Sequence, residues 1–230
     1  MLKHIRFAAV LLCMALGLGN VAQAQKVASS AGGHKYVDLG LPSGTLWATC
    51  NIGASKPEDY GNYYAWGETS TKSTYDWNSY KYANGNYDKL TKYCYKSNFG
   101  NNGFTDDLTE LHKGDDPAIA QWGSGWRTPT KAQWDELLAN TTNLWMTKNG
   151  VEGCLFTSKK NGQTLFLPAV GHREESEIVR AGFYGIYLSG SIDIDIPCRV
   201  YGFFFNSERC YMDGSMRRND GYCVRPVRQK

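Results

Sequence analysis

The chain has 230 residues, of which 42% are hydrophobic and 20% are charged. This balance permits a packed core and excludes a globally disordered chain. The formal net charge is only +3, which gives no reason to expect nucleic acid or an anionic membrane surface as a partner. With 25 glycines and 15 tyrosines, the composition excludes a coiled coil or long-helix bundle and favours a loop-rich mixed fold with tyrosines on its surface.

The N-terminus has the features of a secretory signal peptide. Lys3 and Arg6 precede an apolar run over Phe7–Leu18, and an Ala-x-Ala motif ends at Ala24. We expect cleavage after Ala24, so that residues 1–24 are a signal peptide and the protein is secreted, either periplasmic or at the cell surface. The apolar run is too short for a permanent membrane span, and no later stretch suits one.

Residues 25–34 are small and polar and predict a flexible linker, followed by a single domain over residues 35–230. Export permits disulfide bonds. Six cysteines follow the signal peptide: Cys50, Cys94, Cys154, Cys198, Cys210 and Cys223. Six thiols allow fifteen full pairings, among which the sequence does not choose. No Cys-x-x-Cys spacing occurs, so buried or locally paired thiols are favoured over a zinc site or a catalytic thiol.

Three helix starts are predicted in chain order. Ser55-x-x-Glu58 with Pro57 is the weakest of them, and Asp116 before Pro117 is the second. Thr130-x-x-Gln133 is a capping box. Behind it, Trp134, Leu137 and Leu138 share one helical face. This pattern predicts a short helix over 131–139.

Strand signals outnumber helix signals. Asn149-Gly150 and Asn161-Gly162 are hairpin turns. They separate three predicted strands, Leu144–Thr147, Val151–Ser158 and Thr164–Leu167, which form a meander. Two further extended segments are Arg199–Phe205 and Cys223–Val227. The fold class is therefore α+β, with a few short helices on an irregular antiparallel sheet.

Two stretches, 60–105 and 183–222, are rich in Gly, Asn, Tyr and Ser and resist periodic assignment. They are predicted to be long loops, and loops of that length inside a domain are usually functional.

Five motifs, in order along the domain, carry a resemblance to a known family. They are YVDLGLPSGTLWATCNIGAS (36–55), DYGNYYAWGE (59–68), GSGWRTPTKAQWDELL (123–138), LFLPAVGHR (165–173) and GYCVRPV (221–227). The chain resembles the Fibrobacter succinogenes major paralogous domain family of secreted Bacteroidetes proteins. The resemblance implies a C-type-lectin-like fold related to the formylglycine-generating-enzyme scaffold, with its termini together and its long loops forming a binding face.

A narrower resemblance covers AGFYGIYLSGS (181–191) and the residues that follow. This region is similar to the variable region of proteins targeted by diversity-generating retroelements, which rewrite AAY codons. Such rewriting does not produce Lys, Glu, Gln, Met or Trp. Residues 183–223 contain only three of these, Glu208, Met212 and Met216. The deficit indicates a diversified segment, although a glycine-rich β segment would also lack Lys and Gln.

Segment 183–222 is accordingly the predicted binding face, because Tyr, Phe and Arg give large contact areas at low entropic cost. Alternation over 192–196 predicts Asp193 and Asp195 on one side of a strand. The predicted ligand-binding residues are Tyr184, Ile186, Leu188, Gly190, Ile192, Asp193, Asp195, Arg199, Tyr201, Phe204, Arg209, Tyr211, Asp213, Ser215, Arg217, Arg218, Asn219, Asp220 and Tyr222. By contrast, Tyr187, Phe203, Phe205 and Val224 are predicted core residues.

No catalytic residue, metal ligand or cofactor is predicted. Asp116 of the Asp115-Asp116 pair is more simply a helix cap, and His172 is placed in a solvated loop. The expected function is a secreted or surface-displayed binding protein for an unknown protein or glycan, not an enzyme. Two alternatives stay open. One is a formylglycine-generating-type or other enzyme on the same scaffold, and the other is a structural subunit of a surface appendage.

Overall fold

The structure, a computed structural model, describes residues 29–230. The predicted signal peptide lies outside the described residues. Two α-helices are present, α1 (Pro117–Trp122) and α2 (Lys131–Asn140). The strands are β1 (Ser29–Ala31), β2 (His34–Val37), β3 (Leu46–Ala48), β4 (Tyr63–Tyr64), β5 (Thr141–Lys148), β6 (Val151–Ser158), β7 (Thr164–Pro168), β8 (His172–Glu174), β9 (Glu177–Val179), β10 (Gly185–Ile192), β11 (Arg199–Phe205), β12 (Cys210–Arg217), β13 (Tyr222–Cys223) and β14 (Val227–Arg228).

The strands form four sheets, and nearly all strand pairs are antiparallel, which confirms the α+β class. A five-stranded sheet has the order β12-β11-β10-β13-β4. A four-stranded sheet, β1-β2-β3-β14, joins the first and last strands of the described chain. The meander β5-β6-β7 and the hairpin β8-β9 complete the set. The finer C-type-lectin-like assignment remains a prediction.

Helix α2 forms as the capping box predicts. The Thr130 side chain accepts a hydrogen bond from the Gln133 backbone, and the Gln133 side chain accepts one from the Thr130 backbone. Trp134 and Leu137 are buried. The Trp134 ring stacks on Phe203 of β11 at 4.5 Å between centroids, so the helix packs against the five-stranded sheet. Asp116 likewise caps α1, as predicted.

The predicted meander is confirmed. Lys148 pairs with Val151 across the Asn149-Gly150 turn, where both turn residues have positive φ (50° and 83°). These angles suit the tight turn that Asn-Gly favours. The three-stranded sheet then packs on the five-stranded one through Phe156, which lies 5.6 Å from Phe203 between ring centroids.

Segment 183–222 is not a long loop, which corrects the sequence prediction. It forms three strands, β10, β11 and β12, which make up most of the five-stranded sheet. The period-two pattern is obscured because β-bulges interrupt the register between Leu188 and Ile192 and between Val200 and Gly202. The predicted core residues Tyr187, Phe203, Phe205 and Val224 are fully buried.

Three other local predictions are wrong. Ser29–Ala31 of the predicted linker is a strand paired with β2. Ser55 does not begin a helix, because Asp59 accepts hydrogen bonds from the Ser55 and Lys56 backbones and closes a turn. The predicted strand over 223–227 is instead two short strands, β13 and β14, in different sheets. Pro226 between them has no N–H to donate to a ladder.

Residues 65–105 are irregular but closely packed, and tyrosines line their interior rather than their surface. Tyr75, Tyr80 and Tyr93 are almost wholly buried. The hydroxyl of Tyr75 donates to the Tyr63 carbonyl at 2.6 Å, and that of Tyr80 donates to the Trp66 carbonyl at 2.8 Å. Tyrosine suits this role because its ring fills the core while its hydroxyl donates a hydrogen bond to a buried backbone carbonyl.

Candidate functional site

Four aromatic side chains form a continuous row on the face of the five-stranded sheet opposite Trp134. This aromatic row consists of His172, Tyr184, Phe204 and Tyr211. Successive ring centroids lie 6.0, 5.4 and 5.1 Å apart. All four side chains are only partly buried. The row therefore presents aromatic edges and faces to solvent across three elements of the fold.

Strand register explains why the row forms. Ile186, Phe204 and Tyr211 are direct neighbours across β10, β11 and β12, and directly opposed residues project from the same face of a sheet. The alternate set, Tyr187 and Phe203, points to the other face, where Trp134 packs. Phe203 and Tyr187 thus lie in the core, whereas Phe204 and Tyr211 are partly exposed on the other face, beside the buried Ile186.

Charged groups flank the row at both ends. The Arg209 guanidinium lies 5.4 Å from the Tyr211 ring centroid and is exposed. Near the other end, Arg217 pairs with Glu174 at 2.9 Å, with about half of each side chain exposed. Phe183, next to Tyr184 in sequence, is 70% exposed. An exposed Phe and two accessible arginines beside the row are typical of a contact surface.

His172 was missed by the sequence analysis, which placed it in a solvated loop. It lies in β8, and its ring stacks 6.0 Å from both Tyr184 and Tyr222. Its Nδ1 lies 3.0 Å from the Tyr184 hydroxyl. Burial lowers the pKa of His172, with the nearby Glu174 opposing the effect and Arg217 adding to it. The sequence His172-Arg173-Glu174 before a turn was the available signal for a strand. It does not show which part of the chain packs beside that strand.

Asp220 lies beneath this end of the row. It is 4% exposed, and the Asn219 side chain donates to its Oδ1 at 2.9 Å. Burial raises the pKa of Asp220 to about 7, reinforced by Glu174 and opposed by Arg217. A carboxyl with such a pKa changes charge in the physiological range.

The predicted binding residues divide into two groups. Eight are buried and belong to the interior, which corrects the prediction for them: Ile186, Leu188, Gly190, Ile192, Arg218, Asn219, Asp220 and Tyr222. Eleven keep some exposure: Tyr184, Asp193, Asp195, Arg199, Tyr201, Phe204, Arg209, Tyr211, Asp213, Ser215 and Arg217. The physical reason is that β10 is covered on both faces, so nearly all of its side chains are interior. Residues 218–220 follow β12 and are held inside by buried hydrogen bonds.

Not all of the accessible residues lie in the row. Asp193 and Asp195 are not on one side of a strand, because β10 ends at Ile192 and Asp193 Oδ1 accepts the Asp195 backbone N–H in a turn. Tyr201 lies under Lys131 of α2, with the ammonium 5.3 Å from the ring centroid. These residues form a second, separate surface.

Arg218 was predicted to contact a ligand, but the structure places it in the interior. It is fully buried, and it donates to the Tyr80 hydroxyl at 2.9 Å and to the carbonyls of Tyr93 and Pro197 at 3.0 Å each. Its guanidinium also lies 5.0 Å from the Trp66 ring centroid. Arg218 therefore fixes the irregular segment to the sheet.

A cavity of about 540 Å³ opens near the far end of β10. Gly190, a predicted binding residue, lines it together with Trp126, Arg127 and Arg228. Within residues 29–230, no group of three or more His, Cys, Asp or Glu side chains is placed to hold a metal ion. The same residues include no helix long and apolar enough to cross a bilayer.

Comparisons of the chain with protein-family models, with curated proteins and with solved structures give no match. The family resemblance therefore stays a prediction, and function has to be argued from the residues of the aromatic row.

Proposed function

We propose that this protein is a ligand-binding domain and that the aromatic row, with Arg209 and Arg217 beside it, contacts a protein or glycan ligand. The observation that carries this proposal is the row itself, four partly exposed rings in successive contact, with three along one face of the five-stranded sheet and His172 from the hairpin β8-β9. Aromatic and arginine side chains dominate the energetics of binding surfaces because they bury large areas with few rotatable bonds.

The rigidity of the support favours the same function. Phe204 and Tyr211 project from β11 and β12, and the opposite face of the sheet carries fully buried Phe203 on β11 and Tyr187 on the adjacent β10. Because the core fixes the strands, the rings lose little further freedom when a ligand arrives. A preorganised surface of this kind binds more tightly for the same contact area.

The proposal also includes secretion of the protein and sequence diversification of segment 183–222. The N-terminal motif argues for a secreted or surface-displayed protein. The resemblance to the Fibrobacter succinogenes major paralogous domain family argues for a C-type-lectin-like frame. Retroelement rewriting of 183–222 would alter the row, because Tyr184, Phe204 and Tyr211 all fall within that segment. The structure also supports a refinement. Rewriting would be tolerated at the partly exposed positions and selected against at the buried ones.

The test is to apply the labelled chain to an array of defined glycans and to immobilised glycoproteins before and after enzymatic deglycosylation. For any member that binds, Phe204→Ala and Tyr211→Ala should each raise Kd at least about tenfold, the scale of a hot-spot truncation. Tyr201→Ala is the matched control, since Tyr201 belongs to the same segment but lies under Lys131.

Loss of binding on deglycosylation would identify a glycan ligand, and its persistence a protein ligand. The proposal is wrong if Tyr201→Ala weakens binding as much as the row substitutions do, or if the row substitutions leave Kd unchanged while circular dichroism shows native folding.

A further inference from the structure

Cys154 and Cys210 are brought together by the packing of two sheets. Cys154 lies on β6, in the middle of the three-stranded sheet, and Cys210 is the first residue of β12 at the edge of the five-stranded sheet. Each thiol is the largest influence on the pKa of the other. They are 56 residues apart in sequence, so the contact is purely tertiary.

The surrounding rings place the two cysteines in the same part of the interface between the sheets. Cys210 is directly opposite Phe205 on β11, and Cys154 is directly opposite Trp145 on β5. The Phe205 ring lies 6.4 Å from that of Trp145 and 6.1 Å from that of Phe156, which is two residues beyond Cys154 on the same face of β6. Phe205, which lies opposite Cys210, thus packs near two neighbours of Cys154, namely Trp145 on the adjacent strand and Phe156 on the same strand.

The other four thiols have different surroundings. Cys94 and Cys223 have backbone carbonyl acceptors at 3.2 Å, those of Lys96 and Tyr60. Cys50 has the Thr49 hydroxyl at 3.7 Å. Cys198 shares a small buried cluster with Cys94 and Leu90. Cys94 and Cys198 are thus a second close pair, but neither thiol shifts the pKa of the other, whereas Cys154 and Cys210 do so.

We propose that Cys154 and Cys210 form a disulfide bond that ties the three-stranded sheet to the edge strand of the five-stranded sheet when the chain meets a disulfide oxidant. All six cysteines are thiols in this structure, so the bond is a covalent modification of the fold shown here. It is independent of the ligand-binding proposal, because none of the row residues enters the argument.

The order of the chemistry follows from accessibility. Cys210 is partly exposed, whereas Cys154 is only 1% exposed. The hydrogen bond between the two thiols lowers the pKa of Cys210, and the same contact together with burial raises the pKa of Cys154. Cys210 is thus the thiolate that meets the oxidant first, and Cys154 is the resolving thiol.

The reaction balances as thiol–disulfide exchange. The Cys210 thiolate attacks one sulfur of an external disulfide, such as glutathione disulfide, forming a mixed disulfide and releasing one thiolate. Cys154 then loses its proton and attacks the Cys210 sulfur, which releases the second thiolate and leaves the Cys154–Cys210 bond. Two protein thiols are oxidised and one external disulfide is reduced to two thiols.

The test uses the purified chain incubated with glutathione disulfide, then alkylated under denaturing conditions and mapped by peptide mass spectrometry. We expect a cross-linked peptide pair joining residues 154 and 210. Reduction of that bond should lower Tm by roughly 10 °C, since it releases a loop of more than fifty residues in the unfolded chain. Recovery of both cysteines as alkylated peptides, or of either one joined to another cysteine, overturns the proposal.

Single variants test the order of attack. Cys154→Ser should retain one glutathione adduct on Cys210, because nothing remains to resolve it. Cys210→Ser should carry no adduct on Cys154, which the oxidant does not reach in the folded state. Cys50→Ser is the control, and it should form the 154–210 cross-link as the wild type does. An adduct on Cys154 in folded Cys210→Ser contradicts the proposed order.

Discussion

Arg217 and Arg218 are adjacent in sequence and differ completely in environment. The Arg217 side chain is 58% exposed and pairs with Glu174 at 2.9 Å. Arg218 is fully buried and donates to Tyr80, Tyr93 and Pro197. One arginine belongs to the surface beside the aromatic row and the other to the frame that holds it.

Arg218→Met should therefore destabilise the fold by roughly 3–5 kcal/mol, because it leaves several buried acceptors without a donor. Arg217→Met should change the free energy of unfolding by less than about 0.5 kcal/mol, as expected for an exposed ion pair. Urea denaturation of both variants measures the difference. Equal losses of stability would show that the two environments are not distinct.

The raised pKa of Asp220 predicts a fold that loses stability as the pH rises. In the folded state this carboxyl titrates near pH 7, whereas in the unfolded chain it titrates near 4. Between these values the folded state binds more protons than the unfolded state, so the free energy of unfolding falls with increasing pH. The full loss is on the order of 4 kcal/mol and is complete above about pH 7.

Asp220→Asn should abolish this dependence and should be more stable than the wild type at pH 8 but not at pH 4. Urea midpoints at the two pH values measure the effect. Asp195→Asn is the control, since Asp195 is exposed. A wild-type midpoint that rises from pH 5 to pH 8, unaltered by Asp220→Asn, would contradict the prediction.

Asp115 should show the opposite dependence on pH. Its carboxylate accepts hydrogen bonds from Tyr93 and Lys92, each at 2.6 Å, and from Tyr82. Burial opposes ionisation, but these donors outweigh it and lower the pKa of Asp115. Asp115→Asn should cost roughly 2–4 kcal/mol at pH 7, since hydrogen bonds to a charged acceptor are lost.

The loss in free energy of unfolding caused by Asp115→Asn should decrease as the pH falls below about 4. Protonation of the wild-type carboxyl then removes the stabilisation that its ionised form provides. Chemical denaturation at pH 7 and pH 3 provides the comparison. A cost that is the same at both pH values would mean that the ionised carboxylate is not the stabilising species.

Gly185 is predicted to tolerate no side chain. A Cβ at this position would lie 2.2 Å from the Phe205 ring, well inside van der Waals contact. Gly185→Ala should therefore displace a fully buried ring and destabilise the fold by about 1–3 kcal/mol. Gly125→Ala is the matched control, because a Cβ there meets nothing within 4 Å. Thermal unfolding of the two variants tests this, and similar Tm values would rule it out.

Sequence reasoning succeeded where structure is determined locally. The α2 capping box around Thr130 and Gln133, the Asp116 cap and the Asn-Gly turns depend on residues a few positions apart, and all three are found in the structure. Trp134 was assigned correctly to the buried face for the same reason.

The site could be predicted only in part, because its formation depends on distant pairing. Tyr184, Phe204 and Tyr211 were correctly placed at the surface, but their contact requires the register of three strands. His172 belongs to the separate hairpin β8-β9, and no local sequence pattern shows that this hairpin packs beside the row. Arg218 was misplaced because its acceptors come from residues more than a hundred positions earlier.

The four-stranded sheet has an architectural consequence. β1 and β14 are its two edge strands, with β2 and β3 between them, so both ends of the described residues lie in one small sheet. Inserting residues 29–230 into a surface loop of a host protein would therefore place both junctions on the same sheet, about three strand spacings apart. Engineering such chimaeras would need only a recipient loop whose ends are a few strand widths apart.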